Sequence, residues 1–141
     1  MAILRKSALL PGIRNGDSAR ELLFFQLHLA RDVARARPDF APGLMLYGNL
    51  LTEAGRHAEA LESDRKLVEA DPADPAAWYN LGCSLSLTGQ AEEALDTLEH
   101  AIDLGFDDDA LMERDKDLEA LRALPRFRKL LGRLQGEQRE D

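Results

Sequence analysis

The chain has a single cysteine and no long apolar stretch, and each absence excludes a class of protein. Cys83 alone cannot form an internal disulfide, so the cysteine content gives no sign of an oxidising compartment. The longest uncharged run, from Pro75 to Ala91, contains Asn, Ser, Thr and Gln, which predicts a helix of a globular protein and not a membrane span. Arg5 and Lys6 interrupt the first apolar stretch, which therefore lacks the continuous segment of a secretory signal. We expect a cytoplasmic location without membrane insertion.

Motifs that carry chemistry are also missing. His28, His57 and His100 stand alone, without the H-x3-H or C-x2-C spacing of a zinc site. The sequence has no glycine-rich phosphate loop or nucleophile motif, and no His or Lys close to Cys83 that would activate its thiol. The three Asp residues at 107–109 lack the alternating ligands and closing Glu of a calcium loop, so we interpret them as a polar turn. The sequence therefore predicts a protein that is not an enzyme and has no metal ligands or cofactor.

Positive charge is missing from one part of the chain. Residues 75–108 carry seven Asp and Glu and no Lys or Arg, whereas residues 1–40 carry seven basic residues and four acidic ones. The net charge of the whole chain is −8. An acidic block of this kind disfavours nucleic acid as the partner. We interpret its carboxylates as a solvated helix face.

What the chain does contain is a pattern that recurs after 34 residues. The shared positions are Gly48, Leu51, Gly55, Glu59, Ala60, Leu61 and Asp74, which return as Gly82, Leu85, Gly89, Glu93, Ala94, Leu95 and Asp108. Helical spacing around a glycine turn predicts two helices per unit, near 42–54 and 57–70 and then near 75–88 and 91–104. A helix pair of this size cannot bury its apolar stripes alone, so we expect the two units to stack.

The second unit carries a recognisable signature. The spacing W-x2-L-G-x2-L begins at Trp78 and is followed by A-x3-L-x2-A. The chain therefore resembles a tetratricopeptide-repeat protein. Residues 104–131 also resemble the ending of small bacterial members of this family, with Lys116 in place of the first proline of that ending. The resemblance implies an all-α superhelix of antiparallel helix pairs, with about two full repeats, a leading helix and a C-terminal cap.

The resemblance also implies a division of the chain. The segments are a tail or short helix at 1–17, a leading helix of an incomplete repeat at 18–40, repeats at 41–74 and 75–108, and capping helices with a frayed end at 109–141. Ser18 and Glu21 have the spacing of a capping box, and the wide apolar face that follows predicts a leading helix buried on two sides. Asp64 stands where the repeat usually has a bulky apolar residue, and its expected surroundings are Arg31, Arg35 or solvent.

In this family the first helices of successive repeats line a concave side, so the resemblance implies a partner-binding groove. Once the core positions are assigned, the residues that face this groove are Met45, Asn49, Thr52, Glu53, Tyr79, Asn80, Cys83 and Ser86. This set is small, partly apolar and nearly neutral, which suits an extended peptide or an amphipathic helix of a neutral or basic protein partner. Three alternatives stay open: the chain's own N-terminal segment fills the groove, the protein is a homo-oligomeric scaffold, or it is an accessory subunit of a larger enzyme assembly.

Asn49 and Asn80 stand at the two Asn positions of the clamp with which some domains of this family hold a C-terminal carboxylate. Met45 occupies the position of the first Lys of that clamp, and no third repeat supplies the remaining bases. A bound carboxylate would therefore lack its charge-assisted hydrogen bonds. We expect a different ligand for this groove.

Overall fold

The computed structural model describes the backbone of residues 15–139 and the side chains of residues 17–136. The described part is all-α, as predicted. Its elements are α1 (Asn15–Ala36), α2 (Ala41–Glu53), α3 (His57–Ala70), α4 (Pro75–Leu87), α5 (Ala91–Asp103), α6 (Asp109–Arg114), a 3-10 helix (Lys116–Leu121) and α7 (Pro125–Arg139). The predicted tail or short helix at the start of the chain falls almost wholly outside the described residues.

Two helix pairs, α2–α3 and α4–α5, form the centre of the structure, and their bounds agree with the prediction to within one residue. Each pair is joined by a tight turn whose glycine has a positive φ, 78° at Gly55 and 79° at Gly89. This left-handed conformation is costly for residues with a Cβ atom and easy for glycine. The recurrence of glycine after 34 residues therefore has a conformational cause.

Apolar side chains from both pairs form a shared core. Leu67, Leu85, Leu95 and Leu98 are almost completely buried in one cluster, and α3 packs against α4 to connect the repeats. Trp78 is only half-buried, although the sequence placed it on the core face of α4. Its indole Nε1 donates a hydrogen bond to the Pro72 carbonyl oxygen at 2.8 Å, which keeps the polar edge of the ring at the surface.

The helices of each pair approach most closely at a glycine. A Cβ atom on Gly82 would lie 2.7 Å from Leu98 Cδ2, and one on Gly48 would lie 2.6 Å from Asp64 Oδ1. Both distances are too short for real atoms, so a Cβ atom at either position would force the facing side chain to move.

The leading helix differs from the prediction at both its start and its surface. It begins at Asn15, so Ser18 lies inside the helix and is not its N-cap. Leu27 and Ala30 are buried against α2, whereas Phe25 is 64% exposed and Leu29 56% exposed. The prediction of burial on two sides is therefore wrong for the described chain: α1 packs on α2, and no described helix covers its opposite face.

The C-terminal segment closes the other end of the stack. Met112, Leu118, Leu121 and Phe127 are fully buried and belong to the same core as α4 and α5. Local hydrogen bonds start its elements: Asp108 Oδ1 accepts from the Leu111 amide at 3.0 Å. The described part of the predicted frayed end is helical, since α7 runs to Arg139.

The acidic face of α5 is more than a solvated surface. Asp96 lies 2.6 Å from an Arg126 nitrogen, and Asp103 lies 2.7 Å from Arg133. Glu93 pairs with Arg65 of the preceding repeat at 3.0 Å. Basic side chains of the cap and of α3 therefore offset much of the charge that the sequence concentrates in residues 75–108.

Candidate partner-binding groove

A concavity lies between the two repeats and the C-terminal segment. It has a volume of about 790 Å³. The first helices α2 and α4 form two of its walls, and the 3-10 helix, which packs on α4, forms the third. The cap therefore encloses the groove in addition to covering the core.

Six of the eight predicted groove residues line this cavity. They are Asn49, Thr52, Glu53, Tyr79, Asn80 and Cys83. Met45 and Ser86 do not: Met45 packs at the edge of the core, and Ser86 is buried with an unpartnered hydroxyl. The structure thus brings most of the set together, and a role in binding a partner stays a prediction.

Two of the six are covered by the chain itself. The Tyr79 ring stacks on Phe106 with centroids 4.3 Å apart, and its hydroxyl donates to Asp115 Oδ2 at 2.8 Å. The Cys83 thiol contacts the same oxygen at 3.8 Å. Both side chains therefore lie buried at the floor of the groove. Asn49 is exposed and Asn80 is half-buried, and their side-chain amide groups are 3.5 Å apart.

Burial and nearby carboxylates keep these floor groups neutral. The pKa of the Cys83 thiol is raised well above its ordinary value, first by burial and then by Asp115 and Asp117. The pKa of the Tyr79 hydroxyl is raised by burial, with further contributions from Cys83 and Asp115. A neutral thiol is a weak nucleophile, so this arrangement is a poor catalytic site.

The groove is acidic, which contradicts the predicted neutral lining. The cap contributes Asp115, Asp117 and Glu119 to its wall, next to Glu53 of α2. The sequence pattern of the tail predicts only a cover for the core, so these residues were not predicted at the groove. One signal was available: Asp117 follows the groove residue Cys83 by 34 positions, so the register extended into the tail places it at the groove.

Asp64 lies at the base of the groove and differs most from its predicted surroundings. It is 2% exposed, so neither solvent nor Arg31 or Arg35 is its partner. Ser84 donates a hydrogen bond to Asp64 Oδ2, while Oδ1 faces Gly48 without a hydrogen-bond donor among the described residues. Burial raises the pKa of Asp64 to about 6, and the Ser84 hydrogen bond opposes that shift.

Three groups in the groove lie close enough to contact one ion. Ligand atoms of Cys83, Asp115 and Asp117 all lie within 4.8 Å of one another. His57, the first residue of α3, also lines the groove, and its buried Nδ1 has no hydrogen-bond partner among the described residues. This cluster was not predicted from the sequence, because Cys83 lies 32 residues before Asp115 and meets it only when the cap packs on α4.

A second, apolar groove of about 430 Å³ lies on α1 and α2. Its lining includes Leu29, Val33, Phe40, Leu46 and Leu50. It has no acidic or basic residue among its described lining. The same region carries the exposed apolar face of α1.

None of the described helices combines the length and the apolar character needed to cross a membrane.

Comparison with known proteins supports the repeat assignment. The sequence pattern of a tetratricopeptide repeat matches residues 65–96. A TPR repeat-containing protein of Picosynechococcus sp. is 36% identical over 67 residues, which cover 48% of this chain and 17% of that protein's length. The predicted resemblance to tetratricopeptide-repeat proteins is confirmed.

Solved structures of MamA have the same fold. MamA MSR-1 C2 superposes with a TM-score of 0.63 at 20% identity, covering 86% of this chain and 72% of that one. The MamA RS-1 ArsTM double mutant also gives 0.63 at 20% identity, covering 88% of this chain and 72% of that one. A crystal structure of MamA gives 0.61 at 21% identity, covering 89% and 85%. At this level of identity the similarity shows the fold and nothing more.

Proposed function

We propose that this chain, which resembles tetratricopeptide-repeat proteins, is a non-enzymatic interaction module that holds a segment of a partner protein in the groove between its repeats. The observation that carries this proposal is the 790 Å³ cavity formed by α2, α4 and the cap. A cavity of this size exceeds what one small side chain needs and suits several residues of a peptide or helix.

The chemistry of the walls supports a peptide as the occupant. Leu87, Phe106 and Leu111 offer apolar contacts, and the amides of Asn49 and Asn80 offer donors and acceptors that an extended backbone can pair with. Both amides are accessible, and their mutual separation of 3.5 Å leaves them a weak hydrogen bond that a ligand can replace. The acidic wall disfavours nucleic acid.

A photo-crosslinking experiment tests the groove. A benzophenone side chain replaces Asn80 in one version of the full chain and Glu69, exposed on α3 and outside the groove, in the other. We expect a discrete partner adduct from position 80 only. The single variants Asn49→Ala and Asn80→Ala, with Glu69→Ala as the matched control, should each reduce recovery of that partner at unchanged helicity. Equal adducts from both positions, or unchanged recovery by both Asn variants, would remove the groove from consideration.

The exposed apolar face of α1 favours a second candidate, a homo-oligomeric scaffold. Phe25 and Leu29 are more than half exposed, and burying them against another copy would be favourable. Light scattering on the wild type and Leu29→Glu decides this. A wild-type oligomer that dissociates in the variant supports the scaffold; a monomer at high concentration excludes it.

A further inference from the structure

The groove carries far more negative than positive charge. Five carboxylates and one ammonium group belong to its described lining: Glu53, Asp64, Asp115, Asp117 and Glu119, against Lys116. The aspartates lie deeper than the glutamates, since Asp64 is buried, Asp115 and Asp117 are half-buried, and Glu53 and Glu119 are exposed at the rim. Like charges around one cavity repel each other, and the repulsion is relieved when a cation enters.

The carboxylates differ in how well the protein itself satisfies them. Asp115 is engaged at both oxygens, because Oδ1 accepts from the Asp117 amide at 3.0 Å and Oδ2 accepts from the Tyr79 hydroxyl at 2.8 Å. The Asp117 carboxylate accepts no hydrogen bond from the described residues, and neither does Oδ1 of Asp64, whose side chain also lines the groove and is 98% buried. Acceptor capacity therefore remains at the deep end of the groove.

The surfaces next to these acceptors are apolar. The stacked pair of Tyr79 and Phe106 lies beside Asp115, and Leu87 and Leu111 continue the wall. A guest that satisfies both features has an alkyl or planar stem that packs on the wall and a cationic head that reaches the carboxylates. Arginine and lysine side chains have this construction.

We propose that the groove receives an arginine or lysine side chain of the partner segment, held at Asp117 in the field of Asp64 and Asp115. This inference rests on the proposed function and specifies the chemistry of its ligand. A divalent ion fits the same cluster less well, because Cys83 is a neutral buried thiol and metals bind the thiolate. The test must therefore distinguish binding of a metal ion from binding of an arginine or lysine side chain.

The test is a selection of random twelve-residue peptides, displayed on phage, against the immobilised full chain. We expect the selected peptides to contain Arg and Lys several-fold more often than the starting library. A selected peptide, synthesised with a fluorescein label, should bind about tenfold or more weakly to Asp117→Asn than to the wild type, which removes one charge-assisted contact. Glu113→Gln, exposed on α6 outside the groove, is the matched control and should bind as the wild type does.

Each result decides the inference. Selected peptides without enrichment of cations, or equal affinity for Asp117→Asn and wild type, overturn it; if those peptides still lose affinity for Asn49→Ala and Asn80→Ala, the proposed function survives. If the selected peptides bind both Asn variants as tightly as the wild type, the proposed function is wrong as well. Binding of calcium or zinc chloride alone that competes with the peptide would reassign the cluster to an ion.

Discussion

The two repeats fill one equivalent buried position with side chains of different chemistry. In the second repeat, Leu98 of α5 packs against Gly82 of α4; in the first, Asp64 of α3 lies against Gly48 of α2, at the positions 34 residues earlier. Leu98 is 1% exposed and Asp64 2%, so both slots are core. One repeat places an apolar side chain there and the other places a carboxylate.

This difference shows where the stack departs from maximal stability. Leucine in a buried slot gains from burial, whereas a carboxylate must either ionise in a low-dielectric site or bind a proton. The single hydrogen bond from Ser84 only partly compensates Asp64. Asp64 lies at the base of the groove, so the residue that lowers stability belongs to the candidate site. Such a coincidence is expected where binding a partner requires a residue that packs poorly.

The largest loss of stability is expected when the buried leucine of the second repeat is truncated. Leu98→Ala should lower the free energy of unfolding by about 2–5 kcal/mol, because it opens a cavity opposite Gly82. Urea unfolding followed by circular dichroism measures the loss. Leu46→Ala is the control, since Leu46 is 55% exposed and its truncation should change stability by no more than about 0.5 kcal/mol. Comparable losses in the two variants would contradict the burial described here.

The contribution of Asp64 to the free energy of unfolding should depend on pH. The pKa of Asp64 is raised from 3.8 to about 6 in the folded chain, so its stabilising contribution is complete below pH 3.8 and is lost as the pH rises through about 6. Asp64→Asn keeps an acceptor for Ser84 and removes the ionisation. At pH 8 the variant should therefore be more stable than the wild type, by up to about 3 kcal/mol for a shift of this size.

Urea unfolding of both proteins between pH 4 and pH 8 measures this difference, which should shrink towards acidic pH. A variant whose stability stays parallel to that of the wild type across the range would show that the pKa of Asp64 is the same in the folded and the unfolded chain. A variant that is less stable at pH 8 would show that the charge itself is stabilising.

The smallest changes in stability are expected from alanine substitutions at the two glycines. Gly82→Ala should destabilise by about 1–2 kcal/mol, because the new methyl group would lie 2.7 Å from Cδ2 and 2.9 Å from Cγ of Leu98. Gly48→Ala should be milder, since its clash is with the terminal oxygen of Asp64, and alanine also favours the helix. Thermal unfolding compares the two, and a larger loss at Gly48 would mean that the Asp64 carboxylate cannot move.

Prediction from the sequence succeeded where local chemistry decides the structure. The glycines at 55 and 89 and the helical spacing around them placed both ends of four helices to within one residue. It failed for α1, whose wide apolar face was expected to be covered on two sides. The pattern on a helix reports which side chains are apolar, and only the neighbouring helices determine which of them are buried.

The candidate site was predicted to a similar extent. Positions on α2 and α4 followed from the repeat, so six of the eight predicted residues do line the cavity. The acidic wall was missed because Asp115 and Asp117 come from a segment whose fold is a short 3-10 helix, capped by Asp115 itself. Which face of the stack such a segment covers depends on packing with α4 and has no local signature.

The sequence by itself determined that this chain forms paired helices in a repeating stack, because glycine conformation and apolar spacing are properties of neighbouring residues. Only the tertiary structure decided the character of the groove. The cap folds over the concave side and brings its carboxylates to Cys83 and Asp64, groups that are far away along the chain. Charge and burial at a site depend on distances in space, and those distances arise only when the repeats and the cap pack together.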